Sequence, residues 1–147
     1  MTMSAASARE LARHVVTLTE ADSAEVLVVA DSSALTRFAN NRINQNVAEE
    51  NAQVSIRAVL GQRIGVASTN RLDDDSLRAS AQAAVHAASI APQDPAFPGL
   101  PGPAPVSDIA RAVAATVGFD AEARAEAVSA IVSGASISRI PARAARV

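Results

Sequence analysis

The sequence predicts an α/β fold of the α+β kind: a small antiparallel or mixed sheet packed against two helices, then a proline-rich linker and a C-terminal helix. Three observations carry this reading. Residues 53–60 alternate apolar and polar and run through Gly61 and Gln62 into a second β-rich run at 63–68, the pattern of a hairpin. Apolar stripes at helical spacing follow polar caps at both ends of the sheet-forming region. Six of the seven prolines then fall between Pro92 and Pro105, where a packed element cannot continue.

In order, Ser7 and Glu10 fit a capping box, and Leu11, Val15 and Leu18 recur on one face, so helix one is expected over residues 8–18. Residues 25–30 (EVLVVA) form a short apolar run expected of a strand covered on both faces or central in the sheet. Asp31, Ser32 and Ser33 read as the turn after it, and residues 34–39 as a further strand. The amide-rich stretch 40–46 favours a bend, with the strand resuming near Val47. In the 53–60 strand, Val54, Ile56, Ala58 and Leu60 face one way while Gln53, Ser55 and Arg57 face the other. Gly61 is free to take positive φ in the turn. Gly65, inside the return strand, marks a bulge or a close approach by another element.

Asp73 is placed to cap helix two, with Asp74 and Asp75 in its first turn. Leu77, Ala81, Ala84, Val85 and Ala88 form its apolar stripe, and it is expected to end near Ile90, before Pro92. Residues 92–106 read as an extended linker. A last, Ala-rich helix is expected to begin at Asp120 and stop at Gly134, and residues 135–147 show no clear period. The organisation is thus an N-terminal domain at 1–91, a linker at 92–106, the helical start of a following region at 107–134, and an unassigned tail at 135–147.

At 147 residues and 15.0 kDa the chain is the size of one small domain with an appendage. Its apolar half is rich in Ala and Val, with three Phe as its aromatics, so the core is built from small side chains. A net charge of −2 provides no attraction to nucleic acid or to an anionic membrane, and neither is expected as a partner. Without cysteine there are no disulfides or thiolate metal sites. The N-terminal stretch lacks a secretory pattern and no apolar run nears the ~20 residues of a membrane span, so a cytoplasmic protein is expected. All thirteen basic residues are Arg, which reflects genome composition.

Side chains that bear chemistry are few. His14 and His86 with Asp73, Asp74 and Asp75 offer metal-binding atom types, but separate helices and a capping role for the carboxylates are the weightier reading. Asn40, Asn41, Asn44 and Gln45 fit contacts to the backbone of an extended peptide, against the plainer reading of a polar loop. Arg57 and Arg63 flank the second turn, where they suit a carboxylate or stand as solvated strand-face residues.

Taken together, ALTRFANNRINQ, then VSIRAVLGQRIGVASTNRLDDDSLRASAQAAVHAA, then APQDPAFPGLPGP resemble the N-terminal domain of the TldD/PmbA family, also called modulators of DNA gyrase. The likeness rests on Arg37, Phe38, Ala39 and Asn40 before a hairpin from Ile56 and Arg57 through Gly61 to Gly65, and on Thr69, Asn70, Leu72 and Asp73 at the helix start. It covers roughly residues 8–134. The resemblance implies zinc metallopeptidases that act on peptides or unfolded chains and assemble as homodimers or as heterodimers of related subunits. The family's zinc site is a His-Glu-x-x-x-His helix. Here Val15 follows His14 and Ala87 follows His86, so the motif is absent and no zinc or other cofactor is expected in this chain. A truncated or frameshifted member, inactive as a peptidase by itself, is therefore expected, serving assembly and substrate admission, with Arg37, Asn40, Asn41, Asn44, Gln45, Arg57 and Arg63 as candidate peptide contacts. The alternatives are a stand-alone peptide-binding or partner-capping module, and an unrelated small ligand-binding domain.

Overall fold

Two consecutive asparagines set the first hairpin. Asn40 and Asn41 take φ of 52° and 58°, the left-handed backbone that a two-residue mirror-image turn needs and that Asn tolerates better than most side chains. The turn joins β1 (Ser23–Ala39) to β2 (Arg42–Leu60), and Gly61, at φ 60°, opens the second turn into β3 (Arg63–Thr69). The sheet order is β1-β2-β3. Hydrogen-bonded neighbours joined by two residues can only be antiparallel, and β2 pairs with β3 in the register Val54↔Thr69 through Leu60↔Arg63. The computed structural model describes residues 3–102, 104–105 and 113–137. The expected tail from residue 138 onward and the first part of the expected following region, 107–112, lie outside them.

The helices are α1 (Ala5–Leu18), α2 (Asp74–Ile90), a single turn α3 (Ala114–Val117) and α4 (Ala121–Ile137). The chain divides into two compact units, one of residues 1–32 and 50–106, the other of 33–49 and 107–147. In the first, Val54, Ile56 and Ala58 on one face of β2 meet Leu77, Ala81, Ala84 and Ala88 of α2 and Val15 of α1 in a fully buried cluster. Alternation along β2 brings the three strand residues to one face, and helical spacing brings the four α2 residues to one stripe. The predicted stripes of both helices are thus the buried ones. Gly65 makes this packing possible: a Cβ there would sit 2.1 Å from the Ala88 amide nitrogen and 2.2 Å from the Ala84 carbonyl oxygen. Of the two readings of Gly65, the register shows no bulge and the close approach is the one found.

Caps and side-chain ties close the first unit. Asp73 accepts the Ser76 amide at 3.0 Å, as its position predicts. At the other end, Arg63 Nη1 donates to the Ser89 carbonyl at 2.9 Å, satisfying a last-turn acceptor. The Gly61 amide donates to Asp22 at 2.7 Å, tying the start of β1 to the second turn. Past α2, the Asp94 amide donates to the Gln62 carbonyl at 2.9 Å, so the proline-rich segment begins by returning to that turn rather than extending freely.

Five local expectations are corrected. The cap of α1 is Ser4, whose hydroxyl accepts the Ser7 amide at 3.1 Å; Ala5 and Ala6 are strong helix formers and draw the start one turn earlier than Ser7. Residues 31–33 continue β1 instead of turning, because pairing along β2 outweighs their local turn preference. Residues 25–30 are covered on one face only, with Val26 and Val28 against the core while Leu27 and Val29 are 57% and 48% exposed, as befits an edge strand. The bend expected at 40–46 is confined to Asn40 and Asn41, and Gly134 lies inside α4 rather than ending it. Among the described residues no helix is long and apolar enough to cross a membrane.

Candidate functional site

In the second unit, residues 33–49 form the tip of the β1-β2 hairpin, and its two faces differ. On one, Thr36 Oγ1 donates to Asn46 Oδ1 at 3.0 Å, and Arg124 of α4 reaches both, Nε to Thr36 Oγ1 at 3.0 Å and Nη2 to Asn46 Oδ1 at 3.1 Å. Arg124 Nη1 also donates to the Phe119 carbonyl at 2.9 Å. One guanidinium thus binds the helix start to both strands of the hairpin. Asp120 caps α4 by accepting the Ala123 amide at 2.9 Å, and Val128 is the buried apolar residue among the described residues of this unit. Arg124→Ala should therefore loosen the hairpin tip by about 1–3 kcal/mol, the cost of leaving charge-assisted acceptors unpaired. Faster amide hydrogen exchange confined to 33–49 and α4, with α2 unchanged, is the expected result.

On the opposite face, Ser33, Leu35 and Arg37 from β1 and Gln45, Val47 and Glu49 from β2 line an open groove of about 270 Å³. The arrangement follows from alternation: each of these residues neighbours, along its strand, a residue of the other face. An aliphatic pair, Leu35 and Val47, lies between a basic end at Arg37 and an acidic end at Glu49. Such a surface matches an extended segment with one apolar side chain flanked by opposite charges.

The candidate contacts separate accordingly. Arg37 and Gln45 share the groove, Asn40 and Asn41 are spent on turning the chain, and Asn44 falls by alternation on the face of Asn46. Arg57 and Arg63 lie in the first unit on opposite faces of the sheet. Arg57 Nη1 pairs with Glu25 Oε2 at 2.7 Å, and Arg63 holds the end of α2, so they do not converge on one carboxylate. Leu35, Val47 and Glu49 were not singled out by sequence; the signal available was alternation within 33–49, obscured by the amide-rich composition.

The histidines do not meet either. His14 Nε2 lies 2.6 Å from Asp74 Oδ1, while His86 is twelve residues further along α2, about 18 Å at the helical rise. Among the described residues no three His, Cys, Asp or Glu side chains converge, so they do not fit a zinc site. The acidic cluster serves the helix start instead. The Ser76 hydroxyl and amide hold the Asp73 carboxyl below its ordinary value of 3.8, and hydrogen bonds from His14 and Arg78 do the same for Asp74. Because both folded values are depressed, their stabilisation is present above pH 3.8 and is lost as pH falls through the folded values. Thermal melts should therefore show the midpoint dropping below that pH, and less steeply in Asp74→Asn.

A three-stranded antiparallel sheet carrying two helices on one face, with a long hairpin tip, defines a small α+β domain. Residues 24–88 match the family model described as PmbA/TldA metallopeptidase domain 1, so this stretch is similar to that family's first domain. A solved structure of TldE from Thermococcus kodakarensis shares the fold, with a TM-score of 0.55 and 18% identity over 69% of this chain. The chain spans only 22% of that TldE chain. No curated protein sequence gives a significant match.

Proposed function

We propose that this chain is a noncatalytic domain of a TldD/PmbA-type peptidase that receives extended peptide or unfolded segments and serves assembly with a second subunit, in a cytoplasmic setting. The observation that carries the reading is the open groove of Arg37, Gln45, Leu35, Val47, Ser33 and Glu49, held in shape from behind by Arg124. The match of residues 24–88 to the first domain of a metallopeptidase family supports a role beside a catalytic region. The partner is a second copy or a related family subunit, and zinc belongs to the catalytic region of the assembled enzyme.

The test is fluorescence anisotropy with a labelled unstructured peptide holding an aliphatic residue between an acidic and a basic one. Arg37→Ala and Gln45→Ala should each weaken binding by roughly three- to tenfold, the loss of one polar contact. Asn44→Ala, on the other face, should not. Equal effects of all three, or none, would overturn the assignment to this face.

A further inference from the structure

We propose that the cavity between the end of α1 and the outer flank of α2 is a separate binding site for a small zwitterion bearing an aliphatic side chain, an amino acid or a dipeptide. The cavity has a volume of about 320 Å³ and is lined by Leu18, Glu20, Arg78, Gln82, Val85, His86 and Ser89, all within the first unit. That volume is at the lower end of small-molecule clefts and suits one or two residues rather than a folded chain.

The chemistry of the lining selects the ligand. Leu18 and Val85 pack against the buried core, so they form a fixed apolar floor. Arg78, Gln82 and His86 follow one another at four-residue intervals along α2 and present their polar ends on one side of it. Asp74 holds Arg78 Nη2 at 3.1 Å, which leaves the other guanidinium N–H groups for a carboxylate. Glu20, just past the end of α1, supplies the opposite charge. A simple anion would meet Glu20 and a simple cation would meet Arg78. A neutral amphiphile would desolvate both charges without compensation. A zwitterion answers both while its aliphatic side chain covers Leu18 and Val85.

None of these residues belongs to the hairpin groove, so the site stands or falls independently of the peptide-receiving role. The test is an amide NMR titration of the full 147-residue chain with Leu-Leu carrying free termini, run beside N-acetyl-Leu-Leu-amide. The expected result is saturable shifts at Gln82, Val85 and Ser89 with the free dipeptide, weakened about tenfold for the blocked one, as loss of a charge-assisted contact implies. Glu20→Gln should weaken the free dipeptide by a similar factor, and Arg78→Gln likewise. Because Arg78→Gln also removes the pair with Asp74, Glu20→Gln decides. Non-saturating shifts, equal affinity for the blocked dipeptide, or undiminished binding by Glu20→Gln would each overturn the proposal.

Discussion

Gly65→Ala is expected to destabilise the first unit by at least about 3 kcal/mol, the upper range for forcing atoms into a packed interior. The added carbon would lie 2.1 Å from the Ala88 nitrogen, 2.2 Å from the Ala84 oxygen and 2.8 Å from the Ala87 carbonyl carbon. All three are backbone atoms, so no side chain can rotate away. Either α2 withdraws from β3, opening the contacts of Leu77, Ala81, Ala84 and Ala88, or the strand shifts and breaks its register with β2. A control is at hand in Gly134, which has open space around its Cβ position, so that Gly134→Ala in the last turn of α4 should be neutral or mildly stabilising. Chemical denaturation with helical circular dichroism reads both; a Gly65→Ala midpoint equal to wild type would refute the close packing of α2 on β3.

Ile56→Ala should cost about 2–5 kcal/mol, the range for truncating a buried Ile and leaving a cavity. Ile56 is fully buried at the centre of the cluster, and the side chains around it include Ala81, Ala84 and Ala88, which are too short to move into the space. A core of small residues carries few large contributors, so each of Ile56, Leu77, Val15 and Val54 accounts for a large share of it. Ile56→Val, which removes one methylene, should cost only about 0.5–1.5 kcal/mol. The ratio of the two denaturation midpoints separates cavity formation from a general intolerance of change at β2. Matching losses for Ala and Val would count against this account.

Both expectations rest on the part of the chain whose sequence was most informative. Between Gln53 and Ile90 the alternation of β2, the Gly61 turn, the cap at Asp73 and the α2 stripe are local patterns, and local geometry decided them. The segment from Asp31 to Val47 was harder because its Ser, Asp and Asn side chains favour turns when considered alone. Their extended state comes from pairing between two long strands, a contact absent from any short window. The candidate site shows the same limit. Arg37 and Gln45 were recognisable as polar residues near a turn, but their separation from Asn44 depends on which face meets α4. That face is fixed by Arg124, 88 residues from Thr36 and 78 from Asn46. Arg57 and Arg63 looked like a pair by their spacing around the turn, and sheet register divides them.

The claim that the chain holds peptide without cleaving it is tested most directly by one NMR titration. An unstructured peptide is added to the full chain in the presence of zinc, and the peptide's own resonances are followed beside the protein amides. The account predicts saturable shifts at Leu35, Arg37, Gln45 and Val47 with the peptide remaining intact. Zinc-dependent loss of the peptide, reversed by a chelator, or saturation with no shift in residues 33–49, would contradict it.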